Sequence, residues 1–263
     1  MRKEHDFLGE KLVPDEVYYG VQTMRAMENF QITGAQLDPD FIQSMAVVKK
    51  ASCLTNLKTG RMDPVIGDAI IRAADEIIEG KLLDQFPLDP IQGGAGTSVN
   101  MNMNEVLCNR ALELLGYPKG RYDIISPNNH ANMAQSTNDV FPTSIKVCLV
   151  RKAYRLMDAL SSMARGFDEK GEAFKDVIKM GRTHLQDAVP ITLGEEMDSY
   201  AVAVRRGIRR ISLWGGAAHG FSGYPGSSQA DELRQLMRQH RMELIEFAPE
   251  VLSYPFNPAD DRA

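Results

Sequence analysis

Cysteine is scarce in this sequence, long apolar runs are missing, and no stripe of basic charge marks any face. The three thiols, Cys53, Cys108 and Cys148, show no paired spacing, so neither a disulfide framework nor a thiolate metal site fits. Each falls in an apolar-periodic segment, which predicts buried free thiols. The five histidines are scattered, none with a partner at ligand spacing, so no metal is expected. No apolar run reaches the ~18 residues a spanning helix needs, and Met1-Arg2-Lys3-Glu4-His5-Asp6 does not lead into a signal-peptide core. The expectation is a soluble, cytoplasmic protein with no membrane partner. With a net charge of −5 and Lys and Arg spread along the chain, no nucleic-acid partner is expected either. Arg205, Arg206, Arg209 and Arg210 do cluster, at a spacing that reads as the solvated face of a helix.

What is present suits a packed protein. At 263 residues, 43% hydrophobic and 25% charged, the chain can bury one large core or two small ones. Helical punctuation dominates. Asp38-Pro39 reads as an N-cap and first helical position, with Phe41, Met45, Val48 and Ala51 as the stripe and Gly60 as the stop. Asp63-Pro64 restarts the pattern, with Ile66, Ile70, Ala73 and Ile77 on one face and Gly80 closing it. A third helix is expected from Thr97 to about Gly116. The longest runs from about Ser144 to Phe167. Its seam, Ile145, Leu149, Ala153, Leu156, Leu160, Met163 and Phe167, repeats at three and four residues, as in a helix packed lengthwise in a bundle. After a loop, Thr192-Leu193-Gly194-Glu195 reads as a capping box opening a partner helix with Met197, Ala201, Val204, Ile208 and Ile211 as its stripe. The glycines from Gly215 to Gly226 are dense enough to stop it. A last helix is expected from Ser228, carrying Leu233, Leu236, His240, Leu244 and Phe247.

Four segments could carry chemistry. Gly93-Gly94-Ala95-Gly96-Thr97-Ser98 is a glycine-rich turn before a helix, able to bring backbone N–H groups to an anion or simply to allow close packing. It lacks the Gly-Lys-Ser/Thr of a phosphate loop and the third glycine of a dinucleotide fingerprint. Asn100, Asn102 and Asn104 are unusual in a helix interior and read first as a buried network, second as ligand contacts. Gln135-Ser136-Thr137-Asn138-Asp139 offers clustered hydroxyl and amide groups, suited either to a carboxylate or to a helix cap. Gly181-Arg182-Thr183-His184-Leu185-Gln186-Asp187-Ala188, placed in the loop between the two long helices, sets an imidazole beside a hydroxyl, a pair able to bind a carboxylate or move a proton.

Together these segments, with Tyr18-Tyr19-Gly20-Val21-Gln22-Thr23 and Glu28-Asn29-Phe30 upstream, resemble the aspartase and class II fumarase superfamily from about Lys3 to Ile211. Gly94-Ala95-Gly96-Thr97-Ser98, Met180 before Gly181, and Val189 after Ala188 lean towards the aspartase form. The resemblance implies a mainly α fold, an aspartase/fumarase-like N-terminal domain (1–140) followed by an incomplete long-helix bundle (141–211) and a divergent tail (212–263). It implies anti elimination of ammonia from L-aspartate to give fumarate, with no cofactor, in a homotetramer. Thr97, Ser136, Thr137 and Asn138 would contact the substrate's carboxylates and amino group. Thr183 and His184 would grip the carboxylate that takes up charge, with His184 as the catalytic candidate. Asn128 resembles part of a peripheral anion site.

One departure stands out. The superfamily takes its base from a serine in a later loop that begins Gly-Ser-Ser and continues Met-Pro, Lys, Asn. Here Gly226-Ser227-Ser228 is followed by Gln229-Ala230-Asp231-Glu232. The expectation is a truncation or frameshift near Ser212, an impaired enzyme, and apolar helix faces left exposed. Two alternatives stay open: a class II fumarase, and a non-catalytic partial subunit that associates with intact lyase subunits.

Overall fold

The computed structural model describes residues 1–218. The order of elements is β1 (Arg2–Asp6), β2 (Gly9–Val13), α1 (Val21–Asn29), α2 (Pro39–Lys58), α3 (Pro64–Ile78), α4 (Thr97–Leu114), α5 (Thr137–Ala173), β3 (Ile178–Thr183), β4 (Gln186–Thr192) and α6 (Leu193–Ala218). The fold is mainly α, as expected. Contacts divide it into a first unit, residues 1–148, and a second that begins at Leu149, the cut falling inside α5.

The first unit holds the core. Asp38 caps α2 by accepting from the Asp40 N–H at 3.0 Å, and Asp63 caps α3 through the N–H groups of Val65 and Ile66. Gly60, Gly80 and Gly116 follow α2, α3 and α4 with φ of 68°, 90° and 81°, the left-handed region in which glycine ends a helix without strain. Between these signals α2, α3 and α4 bury Met45, Ile70, Ile77, Met103, Leu107 and Leu112 completely. Each such side chain contributes roughly 1.5–3 kcal/mol over an exposed one. Cys53, Cys108 and Cys148 are buried and in no disulfide, and burial pushes the Cys53 thiol up to about 12.

Two details differ from the sequence expectation. The buried face of α2 carries Met45, Lys49, Cys53 and Asn56, rotated from the stripe through Val48 and Ala51, because the helix packs polar side chains into the unit. The N-terminal residues also form a hairpin that no helical pattern signals. Its strands pair antiparallel, Arg2 opposite Val13 and Asp6 opposite Gly9. The Arg2 guanidinium fastens it by donating to the carbonyls of Pro14, Val17 and Tyr19 at 2.6–2.8 Å.

Helix α1 has no cap of its own, since Gly20 precedes it. Glu105 of α4 supplies one. Its carboxylate accepts from the N–H groups of Gly20, Gln22 and Thr23 and from the Thr23 hydroxyl, at 2.6–3.2 Å. These are the donors a helix start leaves unpaired. The approach is close: a Cβ on Gly20 would meet the Tyr122 hydroxyl at 2.5 Å and the Glu105 carboxylate at 2.8 Å.

In the second unit the expected capping box forms, with Thr192 N–H donating to Glu195 at 2.9 Å and Glu195 N–H to the Thr192 hydroxyl at 3.0 Å. The segment before it, expected as a loop, is the β3–β4 hairpin. Gly194 lets α6 start against the end of α5: a Cβ there would lie 2.5 Å from the Gly171 carbonyl and 2.8 Å from the Lys175 Cα. Helix α6 continues through Gly215 and Gly216 to Ala218, past the point where the glycines were expected to stop it. Intrahelical hydrogen bonding tolerates glycine at about 1 kcal/mol each. The arginine cluster is exposed as expected, with Arg205 paired to Asp168. On α5, Ile145, Leu149, Leu156 and Met163 of the expected seam are exposed. The expected helix from Ser228 and the Gly226-Ser227-Ser228 segment lie outside the described residues. Among the described residues no helix is long and apolar enough to cross a membrane, and no group of His, Cys, Asp and Glu is placed to hold a metal ion.

Candidate active site

The glycine-rich turn is tethered at its start by Asp89. This buried carboxylate accepts from the N–H groups of Ile32, Thr33, Gly34 and Ile91 and from the Thr33 hydroxyl, at 2.6–3.2 Å. Desolvation works against the charge, but the amides and hydroxyl outweigh it and bring the acid down to about 2. A carboxylate held lower in the folded than in the unfolded state stabilises the fold above pH ~4, and that contribution is lost as pH falls through about 2. The Asp89→Asn variant should therefore melt below the wild type at pH 7, and the gap should close as thermal scans are taken from pH 4 towards pH 2.

The turn then opens α4. Gly96 stands at the N-cap with φ 85° and no side chain to cap with, and Gln92 substitutes by accepting from the Val99 N–H at 3.0 Å. A Cβ on Gly96 would overlap the Phe141 ring. Gly93, Gly94, Ala95 and Thr97 are exposed, so the positive end of α4 and the Thr97 hydroxyl face outward, an arrangement that favours an anion.

Of the three asparagines, all buried, Asn102 donates to the Gln85 carbonyl at 3.0 Å and Asn104 contacts the Met101 sulfur at 3.6 Å. These two are structural. Asn100, one turn after Thr97, faces a different element. Its amide donates to the Thr137 hydroxyl and to the Asn132 side-chain oxygen, both at 3.2 Å.

The Thr137 segment is a helix start as well as a candidate site. Ser136 accepts from the Asn138 N–H at 3.2 Å, and its own N–H donates to Asp139 at 3.1 Å, so Ser136 caps α5. Pro142 lies inside α5 and has no N–H to give the Asn138 carbonyl one turn back. Ser136 and Asn138 are exposed and Thr137 is half-buried. The turn before them is strained, with Ala134 at φ 56°, outside the usual range for a side chain with Cβ. It is held by Lys49, which donates to Asn132 at 2.9 Å and Gln135 at 3.1 Å, and by Asn56, which donates to the Met133 carbonyl at 3.1 Å. Sequence reading passed over Lys49 because lysine on a helix is read as surface. The available signal was its place four residues from both Met45 and Cys53.

Thr183 and His184 belong to the second unit. Strands β3 and β4 pair with Thr183 opposite Gln186, which leaves His184 and Leu185 as a two-residue turn with φ 49° and 60°. Two positive φ values define the turn that best matches strand twist, and Asn-Gly is its usual sequence. His and Leu there are strained, and such strain collects at functional sites. Both are exposed. Gly181 sits at a register shift, where a Cβ would meet the Val189 carbonyl at 2.8 Å.

Thus Thr97, Ser136, Thr137 and Asn138 share the first unit, where Asn100 of α4 joins the helix that Thr97 opens to Thr137 of α5, while Thr183 and His184 stand at a hairpin tip of the second. Asn128 is exposed in the short turn Pro127–Ala131, where Ser126 donates its N–H to His130 Nδ1 at 2.9 Å.

Residues 9–214 match the family model described as lyase. The chain belongs to the lyase family. Over 212 residues this lyase-family chain is 55% identical to an aspartate ammonia-lyase of a Bacillus species, a match covering 81% of the chain and 45% of that enzyme. Its structure resembles the crystal structure of a fumarate lyase:delta crystallin from Brucella melitensis, with a TM-score of 0.85 at 41% identity, covering 94% of the chain and 54% of that one. A recombinant class II fumarase from Schistosoma mansoni superposes with a TM-score of 0.77 at 33% identity, over 94% and 54%. The chain spans about half the length of the relatives it matches, and it shares its fold with the two solved structures.

Proposed function

We propose that the chain is the N-terminal part of an aspartate ammonia-lyase, and that it supplies most of the carboxylate grip of that enzyme without its base. The observation that carries the reading is the 55% identity to an aspartate ammonia-lyase, taken with hydroxyl and amide groups at two helix starts: exposed Thr97 on α4, and exposed Ser136 and Asn138 with half-buried Thr137 at the start of α5. The reaction is hard because a C–H beside a carboxylate holds its proton tightly. A base removes that proton, the electron pair moves onto the carboxylate, and it returns to form the C=C bond as the C–N bond breaks and ammonia leaves. Donors placed in advance around the charge-gathering carboxylate lower this barrier most. Thr97, Ser136, Thr137 and Asn138 take the substrate's carboxylates and amino group in this reading, and Thr183 and His184 the carboxylate that gathers charge. Residues 1–140 are the N-terminal lyase domain, and 141–211 part of a bundle. The exposed apolar residues of α5 would be covered by further bundle helices in a homotetramer of the cytoplasm.

The test is the ammonia-dependent amination of fumarate by the purified chain, followed as loss of fumarate absorbance. Turnover at or near background is expected, because no Gly-Ser-Ser-x-Met-Pro loop occurs in the sequence. Robust turnover would refute the assignment of the base to that loop. Dehydration of malate in the same assay would favour the class II fumarase reading, to which the similarity to the Schistosoma mansoni fumarase lends support.

A further inference from the structure

Lys49 is 1% exposed, in the middle of α2, and among the described residues no carboxylate forms an ion pair with it. An ammonium buried without a counter-ion costs several kcal/mol unless its donors are satisfied, so its two partners matter. Both, Asn132 and Gln135, lie in the strained turn that leads into Ser136-Thr137-Asn138. An ammonium has only donors to offer, so it holds the side-chain oxygens of both residues towards itself. The Asn132 oxygen also receives Asn100 Nδ2 at 3.2 Å, and the same nitrogen reaches the Thr137 hydroxyl oxygen at 3.2 Å. The Thr137 oxygen therefore already accepts a hydrogen bond, and its own proton is free to point elsewhere. The Asn100 side-chain oxygen, itself buried, has no protein donor, so nothing competes to turn that amide round.

We propose that Lys49 is a positioning residue for the dicarboxylate site: through Asn132 and Asn100 it fixes the Thr137 hydroxyl as an outward donor, and its buried charge is the one an incoming dianion neutralises. The inference rests on the reading of this site as a dicarboxylate site. The amide nitrogens are held from the other side, Asn132 Nδ2 by the Gln135 carbonyl and Gln135 Nε2 by those of Ala131 and Met133. Loss of the Lys49 proton leaves two N–H donors but removes the charge that strengthens them, so the hold on the Asn132 oxygen weakens, and with it the setting of Asn100 and Thr137.

The groups that face Lys49 leave it as the titrating member near neutrality. Burial lowers it to about 7, with Cys108 of α4 the other group acting on it. Burial pushes the Cys108 thiol up, as it does that of Cys53, which lies on α2 with Lys49. On the short turn before Asn132, burial holds the His130 imidazole below its ordinary value. Glu105, on α4 but facing Gly20 to Thr23, is raised by burial to about 7 and would titrate in the same range. A Lys49 variant separates the two.

The experiment is NMR of the full chain carrying 13C-methyl threonine, with fumarate titrations alongside. The Thr137 methyl signal should shift with a midpoint near pH 7, and the shift should vanish in Lys49→Met. In Asn132→Asp, a carboxylate placed beside the ammonium should move the midpoint up by about one to three units. Fumarate affinity should fall as pH rises through that midpoint, and Lys49→Met should bind about tenfold more weakly at pH 6. A flat Thr137 signal in the wild type, a titration that persists in Lys49→Met, or a midpoint unmoved in Asn132→Asp would each overturn the positioning role. If Thr137 titrates as described while fumarate binds at no pH, the positioning role stands and the dicarboxylate reading falls.

Discussion

Replacing Gly96 with alanine is expected to destabilise the first unit by about 3–5 kcal/mol, the range of a severe core substitution. Two costs add. The φ of 85° lies where a residue with Cβ loses about 1–2 kcal/mol. The new Cβ would also occupy the space of the Phe141 ring, which is itself fixed edge-on against Phe41 at a centroid distance of 5.3 Å. Phe141 cannot retreat without loosening the first turns of α5, which carry Thr137. Chemical denaturation should therefore show a lower midpoint, and fumarate binding should weaken in the same variant even at temperatures where it remains folded. A variant as stable as the wild type would mean that the turn relaxes freely, and the glycine would lose its assigned role. Ala95→Gly is a useful contrast, since Ala95 is exposed and the change should be felt only as a few tenths of a kcal/mol to about 1.

The opposite trade is expected at the tip of the β3–β4 hairpin. Converting His184-Leu185 to Asn-Gly places the preferred sequence in a turn whose φ values of 49° and 60° already suit it. The double variant should gain roughly 1–3 kcal/mol for the second unit, from relief of two strained residues. Fumarate binding or amination should fall sharply if His184 grips a carboxylate. Leu185→Gly alone should give about half of the stabilisation and leave binding unchanged. Calorimetry and ligand titration on the three proteins check both halves. A hairpin that is not stabilised by Asn-Gly would show that the turn is not strained. A double variant that binds fumarate as well as the wild type would remove His184 from the site. Stabilisation with loss of function is the pattern expected where evolution keeps strain for chemistry.

The helices were legible because their signals are local. Asp38-Pro39, Asp63-Pro64 and Thr192 to Glu195 announce caps that form as written, and Gly60 and Gly80 end their helices in the left-handed conformation. Helix α5 was read too short at both ends. Pro142, in its second turn, looks like a break, yet the helix starts ahead of it, capped by Ser136. The two hairpins were missed for a different reason. Neither has alternating apolar residues: β4 is exposed over most of its length, and β1 is held by Arg2 through carbonyls as many as seventeen residues away. A pattern made by distant hydrogen bonds leaves no period to read. The same holds for the site. Hydroxyls beside glycines and helix caps could be picked out as candidates, and the family resemblance ordered them. Lys49 could not, because its burial is decided by partners more than eighty residues further along.

The cap that Glu105 gives α1 has a kinetic side. A nine-residue helix is too short to persist alone in water, and its missing donors are met by a carboxylate 85 positions downstream. The earliest helix in the chain therefore depends for its start on a residue made much later. Until α4 is in place, the amides of Gly20, Gln22 and Thr23 have only water as a partner, and removal of the Glu105 side chain should leave this stretch more open to proteases.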